Sequence, residues 1–259
     1  MSRGIMQKLT YTNPPQYRTY SSYRKYLRSV SNCSCTYCTI TESESPGATF
    51  VIEHFRPKSL FKDLECECTN LRYACPRCNS YKSDLWISAE QGCAKNCPDC
   101  GTHICHTNIE RFVDCLIEDP DQLMYLKEDN TIYAYSGSFA AKYTIEFLRL
   151  NRSQLVKLRY VRRFMESWRE ELNTKLKDAE QYRQSLDDKK HEFEAAFVAD
   201  QFKNEKERIQ HDMSITLYDM MIIQSDQSIL FIKNEINKLD HLLDNRTGND
   251  EIISSDKSF

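Results

Sequence analysis

Two pairs of cysteines with the same spacing enclose an acidic residue and a histidine in the first third of the chain. The dipeptide between the pairs is Glu53-His54, and the cysteines are Cys35, Cys38, Cys75 and Cys78. Zinc prefers four soft ligands in a tetrahedron, and each Cys-x-x-Cys turn supplies two thiolates from one corner of the chain. Because four thiolates leave no coordination position open for water, the predicted zinc ion is structural and contributes folding energy.

Two disulfides are the alternative interpretation of these cysteines. The chain opens with no signal-peptide pattern, and cytosolic cysteine pairs at this spacing usually hold metal, so zinc is favoured. Cys33 lies two residues before Cys35 and is a second candidate ligand. Cys35 is preferred because it gives the two-residue spacing to Cys38.

The Glu53-His54 dipeptide follows three β-favouring residues at positions 50–52, which predicts a short strand. Neighbouring side chains on a strand point to opposite faces, so both can serve one site only where the strand ends or bends. Pro57 makes an early end plausible. An imidazole that titrates near physiological pH suits proton transfer, although a Glu-His pair on a strand is also common at surfaces.

The order and spacing of these residues, together with Asn70 and Asn79, resembles the HNH nucleases of the ββα-metal class. The resemblance implies that His54 is the general base, deprotonating a water that attacks a phosphodiester. It implies that Glu53 and Asn79 bind a catalytic divalent cation, and that Asn70 orients the loop carrying the base. Hard oxygen ligands favour magnesium or manganese, which would stabilise charge on the phosphate.

The end of the motif departs from this family. HNH motifs of this type end in Cys-Asn-x-x-Lys-Gly-Asp, whereas this chain has Lys82-Ser83-Asp84. The missing glycine predicts a different turn after the helix, without affecting the ligands. Asn79, which directly follows Cys78, can also serve as a helix cap.

Basic residues within the motif suit a polyanionic substrate. Phosphate contacts position a nucleic acid without reading its sequence. The candidate nucleic-acid contacts are Arg56, Lys58, Arg77 and Lys82, with Arg72 as a fifth basic residue nearby. The first thirty residues add six basic side chains, no acidic ones and five tyrosines. That segment either grips a nucleic-acid backbone or forms a helix whose tyrosines pack on the zinc domain.

Composition limits the remaining classes. The net charge of −3 excludes a globally basic nucleic-acid coat protein, and no run of 18 apolar residues is present to cross a membrane. Twelve cysteines beside only six glycines and a helical second half do not indicate a secreted disulfide scaffold. The expected localisation is cytoplasmic.

A second cysteine cluster follows the motif within residues 86–115. Four cysteines and two histidines fall within positions 93–106, which suggests a second zinc ion. The expected ligands are Cys93, Cys97 and Cys100 with Cys105 or a histidine. Cys66 and Cys68 could also take part, and free thiols in a loop are the alternative to a second zinc ion.

The predicted fold class is α+β. The HNH resemblance implies a zinc-bound ββα-metal core, and the periodicity adds an N-terminal helix and a long-helix C-terminal region. A helix is expected over 16–31, and a strand pair over 123–127 and 131–135. Helical periodicity then runs from 141 to 244, broken near Asn151 or Ser153 as a cap, with a turn within 200–212. The domains are 1–31 (basic N-terminal segment), 32–139 (nuclease with the insertion), 140–245 (helices) and 246–259 (disordered tail).

A segment after the motif carries a finer resemblance. It resembles the PtuB-like nucleases of Septu and related retron anti-phage systems. The residues that carry the resemblance are Glu118-Asp119-Pro120, Asn130-Thr131-Ile132-Tyr133, the 141–155 stretch with Leu150-Asn151-Arg152, and, within the motif, Glu53 to Lys58. This resemblance implies a partner ATPase from the same operon. The long helices are expected to contact that partner or a dimer mate, or else to form a cap on the same chain.

The resulting hypothesis is an HNH endonuclease that hydrolyses phosphodiester bonds, with double-stranded DNA as the expected substrate, within an anti-phage complex. Structured RNA such as tRNA is an open alternative, because a metal site that acts on phosphate does not itself distinguish the sugars. A zinc-organised adaptor that does not cut is the rival from another class.

Overall fold

A computed structural model describes residues 5–86, 110–196 and 204–244 of the chain. The described residues divide into two compact units, one up to Val161 and one from Arg162 onward. None of the helices in the described ranges combines the length and apolar character that a bilayer crossing requires. The finer domain boundaries predicted from the sequence stay predictions.

The first unit is built around a ββα arrangement. Strands β1 (Val51–His54) and β2 (Leu71–Ala74) pair antiparallel, and helix α2 (Pro76–Lys82) follows directly. In this register Glu53 lies opposite Arg72. Proline at the first helical position costs no hydrogen bond and has a preset φ, so the sequence Cys75-Pro76 starts the helix where β2 ends.

Helix α1 (Arg24–Val30) packs beside this sheet and is shorter than predicted. The expected helix over 16–31 is wrong in its first part, where a single 3₁₀ turn spans Tyr20–Tyr23. The backbone N–H of Tyr17 donates to the hydroxyl of Tyr23 (2.9 Å). This bond is incompatible with an α-helix at residue 17. An α-helical Tyr17 would direct its N–H along the helix axis towards the N-terminus, away from Tyr23.

A second antiparallel pair confirms the predicted hairpin. Strands β3 (Met124–Leu126) and β4 (Ile132–Ala134) lie between the short helix α3 (Pro120–Leu123) and helix α4 (Phe139–Phe147). Asn151 was one of two residues predicted to cap a helix, but its side chain has another role. Its amide accepts from the Ile132 N–H (2.7 Å) and donates to the Ile132 carbonyl (2.8 Å), so it pairs with the free edge of β4.

Two long helices follow, as predicted. Helix α5 spans Ser153–Ala196, beginning in the first unit and continuing into the second, and helix α6 spans Glu205–Asp244. Three ion pairs connect the helices: Arg169–Asp240 (3.0 Å), Arg183–Asp226 (3.0 Å) and Lys190–Asp219 (2.6 Å). As the residue number rises along α5, the number of its partner on α6 falls. The helices are therefore antiparallel, and α6 begins at Glu205, within the range of 200–212 predicted for the turn.

A carboxylate ties α1 to the sheet. Glu42 accepts a bidentate hydrogen bond from Arg28 (2.9 and 2.7 Å) and a hydrogen bond from the hydroxyl of Tyr73. Burial alone would raise the pKa of Glu42, but the hydrogen bonds from Arg28 and Tyr73 outweigh it and lower the pKa below the usual 4.5. The ionised form is thus favoured by folding.

Replacement of Glu42 with Gln should therefore destabilise the protein in a pH-dependent way. A carboxyl whose pKa is lowered by folding contributes stability above its unfolded pKa and loses it as the pH falls through the folded value. We expect a loss of about 1 kcal/mol at pH 7 that shrinks towards zero below pH 4.5, because the pair is partly exposed. Urea unfolding of both proteins across this range measures it, and a pH-independent difference would contradict the assignment.

The residue after α2 adopts a backbone conformation that favours glycine. Ser83, at the position where the related motif has Gly, has φ 45° and ψ −138°. This region is essentially restricted to glycine and costs other residues about 1–3 kcal/mol. Ser83 therefore carries backbone strain that a glycine at this position would not, and the predicted change of turn stays a prediction.

Exchange of Ser83 for Gly should consequently stabilise the first unit. The relief of strain exceeds the extra entropy that glycine loses on folding, leaving a gain of about 1 kcal/mol and a Tm rise of roughly 2–4 °C. Ser80→Gly is the matched control, because Ser80 lies inside the same helix and its replacement should be destabilising. A Tm that falls in Ser83→Gly would exclude strain at this position.

Candidate active site and metal centre

The four predicted zinc ligands come together in the structure. Their sulfur atoms all lie within 4.8 Å of one another, and all four residues are buried. The Sγ atoms of Cys38 and Cys75 are 3.7 Å apart, far beyond a disulfide bond. Tetrahedral zinc with Zn–S bonds of about 2.3 Å places its sulfurs about 3.8 Å apart, so the cluster fits a zinc ion.

Local backbone geometry explains why Cys35, and not Cys33, belongs to the cluster. The N–H of Cys35 donates to Ile40 (2.8 Å) and the N–H of Thr39 donates back to Cys35 (2.9 Å), which closes the first cysteine turn. Cys33 precedes this turn and lies outside the cluster. In the second pair, Cys75 caps α2 and its sulfur accepts from the N–H of Cys78 (3.4 Å).

An arginine outside the motif contacts the cluster. Arg152, at the break between α4 and α5, donates to the sulfurs of Cys38 (3.5 Å) and Cys78 (3.8 Å). A zinc ion with four thiolates carries a net charge of about −2, which the half-buried guanidinium of Arg152 would partly compensate. In the sequence, Arg152 stands out only as part of the Leu150-Asn151-Arg152 resemblance. No residue spacing predicts its contact with cysteines more than seventy residues away.

The candidate base is held through one ring nitrogen. His54 ends β1, is half-buried, and places Nε2 3.0 Å from the carbonyl oxygen of Glu65. A carbonyl only accepts, so Nε2 carries the proton in the neutral ring and Nδ1 is left as the basic nitrogen. Burial lowers the pKa of His54 below its usual value, although the Glu65 hydrogen bond opposes the shift. The neutral form therefore prevails at physiological pH.

Asn70 holds the loop that supplies the Glu65 carbonyl. Its side chain accepts from the N–H of Arg56 (2.8 Å) and donates to the carbonyls of Arg56 (3.1 Å) and Leu64 (3.2 Å). These bonds occupy the amide on both sides, and Asn70 is 5 % exposed. Its contacts are those of a residue that fixes the base loop, as the resemblance implied, and not of one that touches a substrate.

Glu53 faces the interior, on the opposite side of β1 from His54. One carboxylate oxygen pairs with the ammonium of Lys82 (2.6 Å) and the other accepts from the hydroxyl of Tyr37. Lys82 also donates to the carbonyl of His54 (2.9 Å). Each carboxylate oxygen has two lone pairs, so one on each oxygen is left for a cation.

One pocket brings the implied catalytic residues together. It has a volume of about 370 Å³, and its lining includes Glu53, His54 and Asn79, with Tyr20, Lys58 and Asp84. No hydrogen bond to the side-chain amide of Asn79 is seen among the described residues. A carboxylate and an amide oxygen on one pocket are a hard donor set, so Glu53 and Asn79 fit a divalent cation such as magnesium.

Two of the basic residues lie elsewhere than the sequence suggested. Lys82 is fully buried on Glu53, so the prediction that it contacts nucleic acid is corrected. Arg72 is also fully buried and pairs with Asp114 (2.5 Å) in the core. An isolated buried charge is prohibitively costly, and these two cations are matched by carboxylates that the sequence alone does not connect.

The other three candidate contacts are accessible to different degrees. Lys58 is exposed beside the pocket and lies 3.6 Å from a carboxylate oxygen of Glu65. Arg77 is exposed on α2 and donates to Gln154 (2.9 Å), and Arg56 lies over the ring of Phe61 (5.9 Å). Their role in binding nucleic acid stays a prediction.

The second predicted zinc site cannot be placed, because Cys93, Cys97, Cys100 and Cys105 lie outside the described residues. The alternative ligands are within them. Cys66 donates to the carbonyl of Arg18 (3.1 Å), and Cys68 is buried in the hydrophobic core. In the described part of the chain, the cluster of four cysteines is the only group of three or more metal-binding side chains.

Comparison with known proteins agrees with this geometry. Residues 35–85 match the family model described as HNH endonuclease, a stretch that holds the four cysteines, Glu53, His54, Asn70 and Asn79. No curated protein and no solved structure matches the chain. Residues 35–85 are therefore similar to HNH endonuclease domains, and the predicted α+β fold class is confirmed.

Loss of the Arg152 side chain should loosen the zinc ion without removing a ligand. Because contacts to ligating atoms typically change metal affinity by roughly tenfold or more, we expect Arg152→Ala to release zinc about tenfold faster to a colorimetric chelator. Arg149→Ala is the control, since Arg149 lies over the ring of Tyr81 (5.0 Å). Equal release rates in both variants would show that Arg152 does not stabilise the cluster.

Proposed function

We propose that this protein is a metal-dependent endonuclease that cuts DNA, using His54 as its general base. The observation that carries the proposal is the state of the His54 ring. Its Nε2 is fixed on the Glu65 carbonyl (3.0 Å), which leaves Nδ1 basic, on the same pocket as Glu53 and Asn79. The HNH match over residues 35–85 supports the same reaction class.

The chemistry follows from these groups. Nδ1 of His54 takes a proton from a water molecule, whose oxygen forms a bond to phosphorus while the bond to the leaving oxygen breaks. Glu53 and Asn79 would hold the divalent cation. When bound, this cation supplies Lewis-acid stabilisation of the charge that develops on the phosphate and leaving oxygen. Magnesium and manganese both suit the donor set.

Lys82 orients the carboxylate of Glu53. The ammonium is 2.6 Å from one oxygen and is itself fixed by the carbonyl of His54 (2.9 Å). This bond couples the cation-binding residue to the strand position of the base. Lys82 thus supports the site from the protein interior, through its buried ion pair with Glu53.

DNA is the proposed substrate, and the charges around the pocket support a polyanion. Lys58 lines the pocket, and Arg77 is exposed on the helix that carries Asn79. Such cations bind phosphate and make affinity depend on salt. None of these contacts reads the sugar, so RNA is tested as a competing substrate.

We further propose that the nuclease acts in a bacterial anti-phage complex with an ATPase. The support is the resemblance of Glu53 to Lys58 and of 118–155 to PtuB-like proteins. Exposed apolar side chains on α6 suit a partner surface: Met213 is 67 % exposed, Leu217 58 % and Met220 64 %.

The His54→Ala variant should abolish cleavage by removing the base. General-base catalysis contributes about 10²–10⁴ in rate, so single-turnover cutting of plasmid DNA in manganese should fall by at least about a hundredfold. His191→Ala is the matched control, because His191 is an exposed residue of α5 that bonds to the Asp187 carbonyl (2.8 Å). Circular dichroism and zinc content verify that both variants fold.

The outcomes separate the hypotheses. Equal cutting by wild type and His54→Ala would overturn the role of the base and point to a contaminant. If the wild type cuts only RNA, the DNA assignment fails while the nuclease stands. If it cuts neither, the assay is repeated with the ATPase, and continued inactivity would favour a zinc-organised adaptor.

A further inference from the structure

A tyrosine from the N-terminal segment contacts the candidate base. Tyr20 lies on the 3₁₀ turn Tyr20–Tyr23, outside the stretch that matches the HNH family. Its ring centroid is 5.0 Å from that of His54, with the planes at 71°, and it lines the same pocket. Edge-to-face contacts of this kind are favourable between aromatic rings and fix their relative orientation.

Tyr20 also belongs to a closed chain of contacts around the base. The ammonium of Lys58 lies 4.8 Å from the centre of the Tyr20 ring and 3.6 Å from a carboxylate oxygen of Glu65. The carbonyl of Glu65 accepts the hydrogen bond from His54. Each of the four residues therefore contacts the next, and His54 is held from two directions.

The two contacts on His54 restrict different motions. A single hydrogen bond from Nε2 sets the position of that nitrogen but allows the ring to turn about the N–H···O axis. An aromatic ring at 71° to the imidazole blocks this rotation. Since Nδ1 must meet a water beside the phosphate, a rotated imidazole would be a poor base even with its hydrogen bond intact.

We propose that Tyr20 is a positioning residue for His54, holding the imidazole plane so that Nδ1 is aligned for proton transfer. The proposal rests on the nuclease function argued above and extends the site beyond the HNH motif to the N-terminal segment. The ring, and not the hydroxyl, carries the effect, because the described contacts of Tyr20 with His54 and Lys58 are made by its ring.

The kinetic test compares Tyr20→Leu, which keeps an apolar side chain, with Tyr20→Phe, which keeps the ring. We expect Tyr20→Leu to lower kcat for plasmid cleavage by roughly tenfold with KM unchanged, and Tyr20→Phe to restore wild-type kcat. Tyr17→Leu is the matched control. Its ring packs at 75° on Tyr23 (4.9 Å) in the same segment, and the pocket lining does not include it.

A raised KM at unchanged kcat in Tyr20→Leu would overturn the proposal, because it would assign Tyr20 to substrate stacking. Failure of Tyr20→Phe to rescue would also overturn it, by placing the effect in the hydroxyl. Equal losses of kcat in Tyr17→Leu would reduce the effect to general destabilisation of the segment.

A second readout does not depend on cleavage. In ¹⁵N-labelled protein, the His54 ring signals are assigned by their loss in His54→Gln. We expect one fixed Nε2–H tautomer in wild type and Tyr20→Phe, and averaged ring shifts in Tyr20→Leu. Unchanged His54 shifts in Tyr20→Leu would refute the positioning role. Inactive wild-type protein with the expected shifts would count against the nuclease function alone.

Discussion

The site depends on the joining of two cysteine turns through four buried sulfurs. The strands between them have four residues each, and a hairpin of that length is marginal at best in water. The first cysteine turn precedes β1, and the second begins at the cap of α2 and ends within that helix. Metal at the four sulfurs would therefore fix the segment before β1 to the start of α2, and with them the hairpin that carries His54.

Strand alternation then divides the work between neighbouring residues. Glu53 points inward to Lys82 and Tyr37, whereas His54 is half-buried and bonds to the Glu65 carbonyl. The loop between the strands returns over His54 because Asn70 bonds both to its beginning, at Arg56, and to Leu64. The position of the proposed base therefore depends on the strand that carries it, on the loop that supplies the Glu65 carbonyl, and on the Asn70 side chain that holds this loop.

The sequence predicted the parts of the site that depend on local spacing. The four-cysteine cluster, the choice of Cys35 over Cys33 and the β3–β4 hairpin follow from short-range patterns, and the structure agrees with them. The burial of Lys82 and Arg72 could not be predicted, because charge alone does not show which distant carboxylate a side chain meets. Contacts of Tyr20 and Arg152 likewise depend on how separate segments pack.

The buried charges show that the HNH motif is not a self-sufficient unit in this chain. Asp114 neutralises Arg72, and Arg152 donates to the sulfurs of Cys38 and Cys78, which are negatively charged thiolates when zinc is bound; both partners lie beyond residue 85. An unpaired buried charge costs several kcal/mol, so the motif alone would carry two electrostatic penalties. The segment from 110 to 155 is therefore part of the active domain in a physical sense.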